Sequence, residues 1–231
     1  MKVRYHGHAC FELETSTGRI IIDPFLCGNP TADVTPVDFS KLDAILISHG
    51  HSDHFGDAIE LAQKTGAVIV SNFELASFAE KFGVNVHQMH IGGKYQFPFA
   101  TIKLTQALHG SGIPKGDGTF HYGGLACGFL IQAEGKWLYH AGDTGLFGDM
   151  ELIGRQYNLE LAMLPIGDNF VMGPEDAILA AQMLRAKSVI PMHYNTFPVI
   201  KQDGQAFINE LQRQVPECRG ILLQAGQVLE I

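Results

Sequence analysis

Four metal-ligating side chains fall within six residues at His49-Gly50-His51-Ser52-Asp53-His54. Composition alone would produce such an H-x-H-x-D-H run at roughly the one-in-a-thousand level, so chance explains it poorly. Imidazole and carboxylate are ligands that zinc accepts, and a tight glycine-containing turn presents several of them to one small volume. One ion cannot easily use all four. His49 and His51 are two apart and point the same way in an extended segment, whereas Asp53 and His54 are adjacent and enter the next turn in a different direction. Two neighbouring sites sharing the loop fit that geometry better than one.

The run follows a short apolar segment, Leu42 to Ile47, and three further ligand types also stand just past apolar segments. His109 follows Thr101 to Leu108, Asp143 lies in His140-Ala141-Gly142-Asp143-Thr144-Gly145 after Lys136 to Tyr139, and His193 follows Ser188 to Met192. Strands running to a common edge would gather these residues where α/β folds usually carry their sites. Other segments read as strands at Lys2 to Tyr5, Cys10 to Glu14, Arg19 to Ile22, Ala67 to Val70, Leu125 to Ala133 and Leu159 to Leu164. Helical spacing marks Asp57 to Lys64, closed by Gly66, as well as Glu74 to Phe82, Pro174 to Arg185 and Gln205 to Gln214. This alternation predicts sheet covered by helices, in one domain over residues 1–231, with no linker or short-period repeat.

These ligand types, in this order, resemble the metallo-β-lactamase superfamily of binuclear metal hydrolases. The resemblance runs from Tyr5-His6-Gly7-His8 to Pro191-Met192-His193-Tyr194. Gly7-His8-Ala9-Cys10 and Ile22-Asp23-Pro24 are similar to the branch that includes ascorbate-6-phosphate lactonase and N-acyl-phosphatidylethanolamine phospholipase D. A group of short prokaryotic metal-dependent hydrolases is more similar still. The resemblance implies a four-layer αββα sandwich of the α/β class, with mixed sheets covered by helices. It also implies one metal on His49, His51 and His109, a second on Asp53, His54 and His193, and Asp143 bridging them.

Two divalent ions about 3.5 to 4 Å apart would share a water, lower its pKa toward neutrality and polarise the carbonyl or phosphoryl oxygen under attack. Asp53 is the candidate to orient that nucleophile and relay a proton. The expected reaction is hydrolysis of a small ester, lactone or phosphodiester. The rival expectation is a non-catalytic metal-binding or ligand-sensing module on the same fold. The histidine at position 51 resembles hydrolytic members rather than the di-iron redox relatives, which favours zinc, with manganese or iron as alternatives.

Composition narrows the field further. The chain of 231 residues carries 16 basic and 24 acidic side chains, a net charge of −8, so no nucleic-acid partner is expected. No apolar run spans a bilayer, and the first residues lack the basic-then-apolar order of an export signal. A cytoplasmic setting follows, in which Cys10, Cys27, Cys127 and Cys218 are reduced thiols. A small-molecule substrate is expected, and homo-oligomer formation stays open because relatives often assemble.

His8 and Asp23 match the branch motif and are candidates to lie near the metals or the substrate. His140 is a weaker candidate of the same kind. His6, His87, His90 and His121 receive no role. Gly110 to Gly118 reads as an ordinary loop, with anion contact through its backbone and Lys115 as the alternative.

Overall fold

The computed structural model describes all of residues 1–231. The first half supplies β1 (Lys2–Tyr5), β2 (Phe11–Glu14), β3 (Arg19–Ile22), β4 (Ala44–Leu46), β5 (Val68–Asn72) and β6 (Val86–Met89). The second supplies β7 (Lys94–Gln96), β8 (Thr101–Gln106), β9 (Gly112–Pro114), β10 (Phe120–Tyr122), β11 (Cys127–Ala133), β12 (Lys136–His140), β13 (Leu159–Pro165), β14 (Ser188–Met192), β15 (Arg219–Gly220) and β16 (Val228–Glu230). The helices are α1 (Ser52–Phe55), α2 (Ala58–Thr65), α3 (Phe73–Glu80), α4 (Met150–Gln156), α5 (Pro174–Leu184) and α6 (Gly204–Gln214).

Two seven-stranded sheets result, ordered β16-β1-β2-β3-β4-β5-β6 and β15-β14-β13-β12-β11-β8-β7. Each is mixed: β1 to β3 are antiparallel and β3 to β6 parallel, while β7, β8, β11 and β12 are antiparallel and β12 to β15 parallel. Strands of such a sheet are apolar on both faces because both are covered. Ile20, Ile22, Leu46 and Val70 pack in one core with Ile102, Leu104, Phe129 and Leu161 of the other sheet. Their alternating neighbours Ile21, Ile45 and Ile69 join a second core with Leu61 of α2 and Leu75 of α3. The period-2 alternation of a strand therefore builds the helix–sheet–sheet–helix layering directly.

The parallel strands direct several chain ends toward one edge, and the ligand-type residues follow them. Helix starts there are set locally. Asn72 caps α3 through its side chain, which accepts from Leu75 N–H at 2.9 Å, and Asp203 caps α6 in the same way. Gly66 ends α2 in the left-handed conformation, as its position predicts. No helix of the chain is long and apolar enough to cross a membrane.

Some elements differ from the sequence expectation. Asp53 and His54, expected to enter the turn after His51, sit on α1, a helix of four residues, too short to show periodicity. The segment Gly110 to Gly118 is not wholly loop, since Gly112–Pro114 pairs with Phe120–Tyr122 as a hairpin. Glycine and proline are poor strand formers and hide that pairing. Helix α4 was unread because Gly154 interrupts its propensity, and the short polar strands β6 and β7 carry little apolar signal.

Candidate metal centre

His49 is reached from β4 through Ser48, which lies against Asp23 just past β3. Asp23 accepts from the Ser48 N–H at 2.7 Å and from the Ser48 hydroxyl at 2.6 Å, while the His54 ring nitrogen Nδ1 donates to it at 2.9 Å. The Ser48 hydroxyl in turn stands 2.9 Å from His49 Nδ1. Its proton is committed to Asp23, so His49 Nδ1 donates to it. One buried carboxylate thus meets the Nδ1 side of His54 directly and that of His49 through the Ser48 hydroxyl, leaving both Nε2 atoms facing inward, the arrangement in which an outer carboxylate fixes a ligating histidine's tautomer.

His51 and His109 approach from the other side. His51 Nδ1 is 3.0 Å from His49 Nε2 and 3.3 Å from His109 Nε2. Asp143 lies between the two groups, with its carboxylate oxygens 3.2 Å from His54 Nε2, 2.9 Å from His193 Nε2, 3.6 Å from His109 Nε2 and 4.0 Å from His49 Nε2. Ligand atoms of His49, His51 and His109 lie within 4.8 Å of one another. The same holds for His8, Asp53, His54 and His193, and again for His49, His54 and Asp143. All seven residues singled out as ligands, drawn from four chain segments, are brought together, and Asp143 reaches toward both clusters.

The chemistry of this set fits divalent cations. His54 Nε2, Asp143 Oδ1 and His193 Nε2 are fully buried without a hydrogen-bond partner, although each lies near another ligand-type atom. Buried polar atoms are ordinarily paired, so a cluster of orphans among carboxylates and imidazoles points to an ion. No lysine or arginine comes within 4.0 Å of the Asp23, Asp53 or Asp143 carboxylates, so no side-chain cation of that kind balances them directly.

Titration directions follow the same crowding. Burial opposes charge on Asp143, yet His193 and His54 outweigh it and hold its carboxyl well below the usual range. Burial likewise opposes charge on Asp53, but the hydrogen bond from His8 and the nearby His54 hold its carboxyl below the usual carboxylate range. Burial disfavours protonated His54, but the Asp143 and Asp23 carboxylates push its pKa up. Burial dominates at His49, which is pushed down, and at His8, pushed down to about 4.

His8 and Asp23 therefore lie at the centre, as does His193, and all three hold positive backbone φ, at 57°, 46° and 55°. Left-handed backbone at non-glycine residues stores strain and clusters at functional sites. His140 lies beside the centre with both ring nitrogens used by backbone: Nε2 donates to Ala9 O at 2.9 Å and Nδ1 accepts from Gly142 N–H at 3.1 Å. It braces the turn that carries Asp143. His6 binds Asp33 and Glu12 instead, and His87, His90 and His121 pack on aromatic rings away from the clusters.

Sequence reasoning missed Ser48, Thr144 and Thr196. The Thr144 hydroxyl accepts from Leu108 N–H at 2.9 Å and so ties the His109 segment to the Asp143 turn. Ser48 carried one weak signal, its place before His49, and Thr196 carried none. The lining is open at one side, where the Asp53 side chain keeps a quarter of its surface exposed.

The chain's similarity to known proteins agrees with this geometry. The profile of the beta-lactamase superfamily domain matches residues 18–194. A UPF0173 metal-dependent hydrolase of Desulfitobacterium hafniense is 61% identical, covering 100% of this chain and 99% of the relative. One from Bacillus thuringiensis is 55% identical with 100% of both chains covered. Among solved structures, Igni18, described as a metallo hydrolase of the archaeon Ignicoccus hospitalis, is 36% identical with a TM-score of 0.89, covering 100% of this chain and 98% of that one.

Proposed function

We propose that this chain, which belongs to the beta-lactamase superfamily of metal-dependent hydrolases, works with two divalent ions on a small ester, lactone or phosphodiester. His49, His51 and His109 would hold one ion, Asp53, His54 and His193 the other, and Asp143 would stand between them. Bound there, zinc, or manganese or iron in its place, would lower the pKa of a shared water toward neutrality and polarise the oxygen under attack.

The chain's own residues do the rest. Asp23 fixes the tautomer of His54 directly and that of His49 through Ser48, so their Nε2 atoms are the ones presented. Asp53, ionised and open to solvent on one side, orients the nucleophile and takes up a proton destined for the leaving group. His140 holds the Gly142 N–H and with it the aim of Asp143. Free thiols at all four cysteines, three of them buried, support a cytoplasmic working place.

The observation that carries this reading is the convergence of buried, unpartnered imidazole and carboxylate atoms with no lysine or arginine against them. The test is metal analysis together with assay of lactones, thioesters, phosphodiesters and phosphorylated sugars, with zinc and with manganese. Near two ions per chain and chelator-sensitive hydrolysis are expected, both lost in Asp143→Ala. A metal-replete Asp143→Ala protein that still hydrolyses model esters and phosphodiesters would overturn it.

A further inference from the structure

We infer that Thr196 is a positioning residue: through His8 it fixes which way the Asp53 carboxylate is held at the second of the two clusters. The inference rests on the two-ion reading above and adds a pair of residues to it. Thr196 lies three residues beyond His193 and is buried. Its hydroxyl is 2.8 Å from His8 Nδ1, and the opposite ring nitrogen, Nε2, is 3.2 Å from Asp53 Oδ2.

The direction of each bond follows from donor chemistry. An ionised carboxylate only accepts, so His8 Nε2 must carry the proton it donates to Asp53. In the neutral imidazole Nδ1 then has only its lone pair, and the Thr196 hydroxyl donates to it. Without that hydroxyl, nothing else bonded to Nδ1 selects this tautomer. In the other one, Nε2 would turn a lone pair toward the Asp53 carboxylate and repel it.

The surroundings keep the ring from escaping that choice. Phe25 and Phe197 both meet the His8 ring edge-on at 5.6 Å between centroids. The His8 carbonyl accepts from His193 N–H at 2.7 Å and from the Tyr5 hydroxyl at 3.1 Å. One residue in left-handed backbone is therefore tied at its carbonyl to one candidate ligand and at its ring to another. Outer partners of this kind typically change metal affinity ten- to a hundredfold when removed.

Zinc titration of the metal-stripped full-length protein against a competing chelator tests this, with valine replacing threonine at nearly constant shape. In Thr196→Val one of the two zinc affinities, that of the second zinc at the Asp53 cluster, should fall ten- to a hundredfold, the other should be unchanged, and Thr196→Ser should restore the loss. Unchanged affinity in Thr196→Val, or equal loss at both sites, would overturn the inference. Should Thr196→Val fail to fold, His8→Gln and His8→Ala decide. A glutamine amide can still donate to Asp53, so His8→Gln should bind the second zinc tighter than His8→Ala. Equal weakness in the two would mean that the imidazole itself ligates, and the relay would be wrong. A wild-type protein that takes up fewer than two zinc ions would fail at the earlier step, removing the two-ion reading and the inference with it.

Discussion

Replacing Gly142 by alanine should damage the centre without touching any ligand. Gly142 has φ +60°, and a Cβ there would lie 2.5 Å from the Cys127 carbonyl oxygen and 3.0 Å from Ser48 Cβ. The first of these is backbone held in β11, where Cys127 N–H donates to Ser48 O at 2.9 Å, so no rotamer change relieves the contact. Left-handed backbone costs an alanine about 1 to 2 kcal/mol, and overpacking adds about 1 to 3 kcal/mol, giving roughly 2 to 5 kcal/mol together. Gly66 supplies the control, because its φ is +75° and a Cβ there would meet nothing within 4 Å. Gly66→Ala should lose only the first part, about 1 to 2 kcal/mol. Urea unfolding of the chelator-treated proteins reads the difference from the shift in midpoint at constant slope. Asp143 is the next residue, so Gly142→Ala should also take up less metal than Gly66→Ala. Equal destabilisation of the two variants, with full metal uptake in both, would refute the claim that close packing against β11 aims Asp143.

Away from the centre, buried Glu12 is bonded to His6 and doubly to Arg19, which together overcome burial and hold its carboxyl down to about 2. Its stabilisation is present in full above its ordinary value near 4.5 and is lost as pH falls from there through 2, amounting to roughly 2 kcal/mol after allowance for solvent around Arg19. Stability measured by denaturant between pH 5 and pH 3 should therefore fall less steeply in Glu12→Gln than in the wild type, and identical slopes would rule this out. Single Cys10→Ser, Cys27→Ser, Cys127→Ser and Cys218→Ser variants should keep their metal content, since no thiol belongs to either cluster. A loss of one ion in any of them would put sulfur among the ligands.

Much of the fold was legible where period and punctuation agree. The alternation of Ile20, Ile21 and Ile22 between two cores is the two-faced burial that a short β-branched run encodes, and Gly66 marked the end of α2. Elements whose stability comes from partners rather than propensity were not. The hairpin of Gly112–Pro114 with Phe120–Tyr122 and the four-residue helix carrying Asp53 and His54 both lack a local signature. The pairing of β1 with β16 joins residues from opposite ends of the chain, a contact that no window of sequence contains.

The sequence by itself determined which side chains are candidates to hold a metal, because imidazole and carboxylate groups keep their affinity for cations wherever the chain carries them. It also set the order in which strands deliver those groups. Only the tertiary structure decided which nitrogen of His8, His49 and His54 faces inward, since that depends on Thr196, Ser48 and Asp23 arriving at the far side of those rings. Hydrogen bonds act over about 3 Å and are indifferent to separation along the chain, so partners 188 residues apart, such as His8 and Thr196, become visible only once the chain is folded.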